Sequence, residues 1–171
     1  MFREFQVVTL QGEAAAAPIE RMCRLGDLRS ALKLWKSSGL PLGRFDAAIQ
    51  AGAVLMVTAG RANELLSLKR KYAFRLAISD VELVRTVYER QNYSTFLEEV
   101  WRLPDREAFR SEVVDAIRRV YKQGNPSFPL REIHRWQLKS ELSDIVRDAV
   151  ESLRMKNRHE FMVWMERFGM N

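Results

Sequence analysis

The sequence is poor in the residues that build disulfide frameworks, metal centres and nucleophilic sites. It has one cysteine and two histidines among 171 residues. A single cysteine excludes an internal disulfide, so we expect a reducing compartment, either the cytosol or an organelle matrix. Cys23 lies among apolar neighbours, which favours a small core residue over a nucleophile. His134 and His159 lack metal-ligand spacing with each other or with Cys23, and we expect both to be exposed on helices.

Long apolar runs and phosphate-binding loops are also missing. No run approaches the roughly 18–20 apolar residues that span a bilayer, so we expect no membrane span. No glycine-rich loop of the Walker or dinucleotide-binding type follows a strand pattern. The carboxylates of Glu98, Glu99, Asp105 and Glu107 lie on segments predicted to be solvated, not facing each other across a cleft. We therefore predict that the protein is not an enzyme and has no catalytic residue, metal or cofactor.

The few glycines and prolines, eight and five in number, are widely spaced, as expected for residues that separate long helices. Candidate turn residues recur at intervals of 34, 32, 32 and 33: Gly26, Gly60, Asn92, Gly124 and Asn157. Glycine and asparagine tolerate the left-handed conformation that ends a helix. A period of this length predicts tandem helical hairpins whose apolar faces are buried by stacking. In the fourth unit we expect the second helix to begin near Pro129.

The repeat predicts an all-α fold, namely an α-solenoid of helical hairpins with a right-handed superhelix. We expect one helical-repeat domain over residues 14–171, preceded by an extended arm over residues 1–13. The apolar positions of the second helices follow helical spacing, and Trp35 and Trp101 fall on faces predicted to be buried.

The positive charge of the chain is concentrated in its first half. The formal net charge is +6, and residues 1–78 hold 12 of the 28 Lys and Arg residues but 6 of the 22 Asp and Glu residues. A basic face indicates an acidic partner, either a nucleic acid or an acidic protein surface. Basic residues near a helix C-terminus also favour the helix dipole, so a solvated face is the alternative. Our candidate partner-binding residues are Arg44, Arg61, Lys69, Arg70, Lys71 and Arg75.

The segment GDLRSALKLWKSSGLPL at residues 26–42 resembles a pentatricopeptide repeat (PPR). The matching residues are Gly26, Asp27, Ala31, Leu32, Leu34, Trp35, Ser38, Gly39 and Leu40. The second unit is similar through Ala59-Gly60-Arg61 and through Leu65, Leu66 and Leu68. Tetratricopeptide repeats, another class of helical hairpin repeat, have the same repeat length of about 34 residues. The resemblance implies binding of single-stranded RNA in organelles, one base per repeat, through a polar side chain nine residues before the turn glycine.

The base-reading positions depart from the PPR pattern. They hold Ala17, Ala51 and Leu83, and none of these side chains can hydrogen-bond a base edge. We therefore expect the chain to bind protein subunits of a larger, mitochondrial assembly as a structural, non-catalytic component. The first alternative is a short organellar protein that binds single-stranded RNA through the same basic face. The second is a helical adaptor with accidental repeat spacing and no superhelix.

Overall fold

The computed structural model describes residues 11–170, and every regular element within that range is helical, which confirms the predicted all-α fold. The ten α-helices of the described range are α1 (Ala16–Arg24), α2 (Leu28–Ser38), α3 (Asp46–Thr58), α4 (Ala62–Tyr72), α5 (Asp80–Glu89), α6 (Tyr93–Val100), α7 (Arg110–Tyr121), α8 (Ser127–Arg135), α9 (Ser143–Lys156) and α10 (Arg158–Arg167). Single 3₁₀ turns, Gly12–Ala15, Leu42–Phe45 and Arg106–Phe109, lead into α1, α3 and α7. Residues 1–10 of the predicted extended arm lie outside the described residues, and Gly12 and Glu13 belong to the first 3₁₀ turn, so the prediction was wrong at these two residues.

Three of the predicted turn residues adopt the left-handed conformation. The backbone φ is 77° at Gly26, 76° at Gly60 and 90° at Gly124. Each of these glycines lies between the two helices of a predicted hairpin, α1–α2, α3–α4 and α7–α8. The glycine prediction is therefore confirmed at these three turns, where a side chain would strain the backbone.

The two predicted asparagine turns are built differently, so the prediction was wrong in its detail. Gln91 is the left-handed residue before α6, with φ 61°, and Asn92 is the N-cap residue of that helix. Asn157 is extended, with φ −152°, and its side chain accepts a hydrogen bond from the backbone N–H of Glu160 at 3.2 Å. Both asparagines therefore stand at the start of a helix, a position that this residue type also favours.

The second helix of the fourth hairpin begins at Ser127, two residues before the predicted start. Pro126 occupies the N-cap position, and Pro129 lies in the first turn of α8. Proline is accepted there because the N–H groups of a first turn have no partner within the helix.

Backbone contacts divide the chain into two compact units, Met1–Thr86 and Val87–Asn171. In the N-terminal unit, α1 packs against α2 and α3, α3 packs against α4, and α2 contacts α4. Gly52 brings α3 close to α1, since a Cβ added there would lie 2.2 Å from the carbonyl oxygen of Cys23. The first helices of successive hairpins therefore touch, and so do the second helices.

The C-terminal unit has a continuous series of packed helices. Successive helices from α6 to α10 are in contact, and α8 also contacts α10. Its core contains the fully buried side chains of Phe96, Leu97, Ile117 and Leu130. The ring of Phe96 lies 6.2 Å from that of Phe109, an edge-to-face arrangement that adds to the burial of both rings.

Candidate interaction surfaces

A groove with basic walls, here called the basic groove, runs between α2 and α4 of the N-terminal unit. Its volume is about 590 Å³. Both helices turn a leucine-rich face to the core and leave their polar stripes at the surface. The lining residues are Arg29, Lys33, Asn63, Glu64, Ser67, Leu68, Lys71 and Tyr72.

Equivalent positions of two hairpins form the walls of the basic groove. Arg29 and Asn63 each follow their turn glycine by three residues, and Lys33 and Ser67 follow it by seven. Such pairs are 34 residues apart, the interval between Gly26 and Gly60. Residues three and seven positions after a turn share one helix face, so stacking two hairpins brings these faces together.

The basic groove carries more positive than negative charge. Its one carboxylate, Glu64, accepts hydrogen bonds from Arg29 and from Arg61, both at 2.9 Å. Lys33 and Lys71 have no carboxylate within salt-bridge distance among the described residues. Two ammonium groups are therefore available to an acidic ligand, next to a carboxylate that is already paired twice.

The basic groove contains one of the six predicted binding residues, Lys71, and a second, Arg61, touches its edge through Glu64. Lys69 instead forms an ion pair of 2.6 Å with Asp80. Consecutive helical residues point about 100° apart, so the run of basic residues at 69–71 cannot form a single surface.

The other predicted binding residues lie outside the basic groove. Arg44 pairs with Glu13 at 2.6 Å, and this hydrogen bond lowers the pKa of the Glu13 carboxyl. Arg70 and Arg75 are exposed and do not line the groove. Sequence reasoning missed Arg29 and Lys33, although their spacing of four on a predicted amphipathic helix was a visible signal.

The first helices of the N-terminal unit present an apolar surface. The base-reading positions of α1 and α3, Ala17 and Ala51, are exposed. Beside the first turn, Leu25, Val54 and Leu55 are exposed to 70%, 54% and 47%. Arg21 and Arg24 are also exposed on α1, so this surface carries positive charge, but its base-reading positions have no polar side chain.

On the equivalent surface of the C-terminal unit, the counterparts of the base-reading positions are aspartates. Asp115 and Asp148 stand nine residues before Gly124 and Asn157, and each accepts a hydrogen bond from a tyrosine hydroxyl, Tyr88 at 2.8 Å and Tyr121 respectively. Burial and the bond to the aspartate raise the pKa of each tyrosine to about 12. Asp144 and Glu151 line a groove of about 440 Å³ together with Tyr121 and Asp148. Asp115 and Asp144 form ion pairs with Arg119 and Arg118, and Arg147 also lines the groove, so this surface carries charges of both signs.

A second groove with basic walls lies on the C-terminal unit between α6 and α8, and we call it the Trp101 groove. Its volume is about 320 Å³, and its lining residues are Glu98, Trp101, Arg102, Arg131 and Arg135. The guanidinium carbons of Arg106 and Arg135 lie 4.2 and 5.1 Å from the centre of the Trp101 ring. Trp101 is half-buried and lines a surface groove, so the prediction that it lies on a buried face was wrong.

Two buried carboxylates fix the arginines of the Trp101 groove. Glu132 is fully buried and accepts hydrogen bonds from Arg131 Nε at 3.1 Å and from Arg135 Nη1 at 3.2 Å. Glu99, 6% exposed, accepts one from Arg102 Nη1 at 2.9 Å. A buried carboxylate needs such partners, so the guanidinium groups are held in place in the free protein.

No protein-family model, no curated protein and no solved structure matches this chain. Within residues 11–170, no three His, Cys, Asp or Glu side chains come together as metal ligands would. Across the same range, every helix is too short or too polar to cross a lipid bilayer.

Proposed function

We propose that the chain is a non-catalytic interaction protein that holds an acidic surface of a partner protein in the basic groove. The observation that supports this most directly is that Lys33 and Lys71, on facing helices of one groove, have no carboxylate partner among the described residues; Lys71 Nζ lies 5.3 Å from the centre of the Tyr72 ring. Exposed charges of this kind orient and steer a partner, while buried apolar contacts supply most of the affinity. The exposed leucine and valine side chains of α1 and α3 are the apolar contacts available in the same unit.

The proposal includes the architecture expected from the sequence, an α-solenoid with a right-handed superhelix. Contacts between α1 and α3 and between α2 and α4 support it, because a solenoid stacks like helices of successive hairpins. The 34-residue offset between facing residues of the basic groove supports it as well.

A protein partner fits the surfaces better than single-stranded RNA does. The base-reading positions are Ala17, Ala51 and the fully buried Leu83, and their counterparts in the last two hairpins are Asp115 and Asp148. Alanine offers no hydrogen bond, a buried leucine cannot touch a base, and each aspartate already accepts a hydrogen bond from a tyrosine hydroxyl. RNA binding would therefore have to use basic surfaces of the chain without sequence readout at these positions.

The resemblance to PPR proteins extends the proposal to a compartment and an assembly. We place the chain in the mitochondrial matrix as a structural subunit of a larger complex. A candidate is the catalytic head of mitochondrial ATP synthase, because short PPR-like proteins of similar size and basic character are peripheral subunits there in euglenozoan protists. Recovery of the catalytic head subunits with the tagged chain would support this candidate, and their absence from the recovered complex would remove it.

The binding proposal is tested by charge reversal in the basic groove. Tagged wild-type chain, Lys33→Glu and the double variant K33E/K71E are expressed in the native source, and the complex is recovered at physiological salt. Lys36→Glu is the matched control, because Lys36 is exposed on the same helix but does not line the groove. We expect partner recovery to fall about tenfold in the double variant and to stay unchanged in the control.

The same preparation separates the RNA alternative from the protein proposal. Purified chain is mixed with a uridine octanucleotide at increasing salt concentration. Micromolar binding that weakens steeply with salt and disappears in K33E/K71E would favour RNA. Equal loss of the protein partner in K33E/K71E and in Lys36→Glu would refute the groove as its binding site.

A further inference from the structure

We propose that the Trp101 groove binds a phosphoryl group carried by a side chain of a partner protein. The groove lies on the C-terminal unit and shares no residue with the basic groove. This inference therefore goes beyond the proposed function, and either can fail without the other.

The arginines of the Trp101 groove have N–H donors that their bonds to the buried carboxylates do not use. Arg131 uses its Nε and Arg135 its Nη1 to hold Glu132, while Arg102 uses Nη1 to hold Glu99. A guanidinium group has five N–H donors, so each arginine retains several for a second anion. Their side chains are 54%, 51% and 34% exposed at positions 102, 131 and 135, which leaves these donors open to solvent.

The Trp101 ring organises the same cluster. Arg106 and Arg135 lie over the ring, and the Nε of Arg106 is buried without a hydrogen-bond partner among the described residues. Stacking and the buried carboxylates together restrict the arginine rotamers before a ligand arrives. Such preorganisation lowers the entropic cost of binding an anion.

Phosphoryl chemistry fits this groove better than a nucleobase or a carboxylate. The cations of this cluster are all arginines: Arg106 and Arg135 lie over the ring, and Arg102 and Arg131 line the groove. The planar donor pairs of arginine match phosphate oxygens in a bidentate manner. A phosphate monoester carries close to two negative charges at pH 7 and three acceptor oxygens, so it can bridge several arginines at once. A base stacking on Trp101 would have to displace Arg106 or Arg135, and a carboxylate offers only two oxygens.

The test uses a short phosphopeptide and an isotope-labelled full chain. The probe is Ac-Gly-Gly-pSer-Gly-Gly-NH₂, and we follow the indole N–H of Trp101 and the Nε–H signals of the arginines by two-dimensional NMR. Peptides with Ser or Glu in place of phosphoserine are the matched probes. We expect saturable shifts at Trp101, Arg102 and Arg131 with the phosphopeptide, and at least tenfold weaker binding of the Glu peptide.

Two variants connect the binding to the groove. Arg131→Lys keeps the charge but removes the planar donor pair and the Nε bond to Glu132, so we expect at least fivefold weaker binding together with a lower melting temperature. Glu98→Gln removes an exposed carboxylate from the groove wall, so we expect two- to fivefold tighter binding from reduced repulsion. A gain of affinity cannot arise from misfolding, so the proposal stays testable even if the arginine variant is unstable.

Three results would overturn the proposal. One is equal binding of the phosphoserine and glutamate peptides. Another is saturation of shifts elsewhere on the chain while the Trp101 and arginine signals stay fixed. The third is tighter binding of a uridine octanucleotide than of the phosphopeptide at these same residues, which would assign the groove to RNA.

Discussion

The substitution Gly52→Ala tests how closely the first helices of two hairpins approach each other. Gly52 lies inside α3, where alanine is favoured over glycine by about 1 kcal/mol of helix propensity. The new Cβ would lie 2.2 Å from the carbonyl oxygen of Cys23 and 2.8 Å from a methyl group of Leu28. The nearest atom belongs to the backbone of α1 and cannot rotate away, so α1 itself must move.

Overpacking of a core costs about 1–3 kcal/mol, and a backbone clash belongs at the upper end of that range. Subtracting the gain in helix propensity leaves a net loss of about 2 kcal/mol for Gly52→Ala. For a chain of this length, that loss lowers the melting temperature by about 4–8 °C.

Urea unfolding followed by circular dichroism at 222 nm measures the free energy of unfolding. Ala51→Gly is the matched control, because Ala51 is exposed on the same helix and should lose only about 1 kcal/mol of propensity. Propensity alone predicts opposite signs for the two changes, whereas the packing of α1 on α3 predicts that both destabilise. A Gly52→Ala protein as stable as the wild type would refute the close approach.

Three further predictions follow from single side chains. Asp27→Ala removes the N-cap acceptor that Ser30 N–H reaches at 3.2 Å, and denaturant titration should show a loss of about 1 kcal/mol; an unchanged midpoint would contradict the cap. Burial raises the pKa of the Cys23 thiol to about 11, so a disulfide reagent at pH 8 should react only after unfolding, and rapid labelling of the native chain would contradict its burial. Tyr88 and Tyr121 have pKa values of about 12, above the value of 10 for free tyrosine, so they bind protons more tightly in the folded state. Their stabilising contribution is complete below pH 10 and lost as the pH rises through about 12. Absorbance titration should show that either Tyr→Phe variant loses a tyrosine that ionises near pH 12, and loss of one that ionises near pH 10 would contradict the hydrogen bonds.

The positions of the turns could be predicted from the sequence because glycine has a specific backbone role. Gly26, Gly60 and Gly124 each follow the end of a helix and have a positive φ that other residues adopt at a cost. The spacing of these glycines therefore indicates the positions of the hairpin turns. Asparagine gave a weaker signal because its side chain also caps helix starts. At Asn157 the capping role is the one that the structure shows.

The candidate sites could be predicted less well, because they depend on pairs of residues far apart in the sequence. The wall residues Lys33 and Lys71 are 38 positions apart, and only the packing of α2 on α4 brings their helices together. The basic run at residues 69–71 was predicted as a binding surface from its composition, but in the structure Lys69 is paired with Asp80. Periodicity could not show that Trp101 lies at a groove, because a half-buried tryptophan occupies the same helical register as a core one.

Photo-crosslinking from the basic groove shows directly whether an acidic segment of a partner protein occupies it. A photoreactive amino acid is placed at Ser67, inside the groove, and in a separate protein at Lys36, outside it on α2. We predict that irradiation in the native source joins Ser67, and not Lys36, to an acidic segment of a partner protein identified by mass spectrometry. Crosslinking of Ser67 to nucleic acid, or equal crosslinking from both positions, would contradict it.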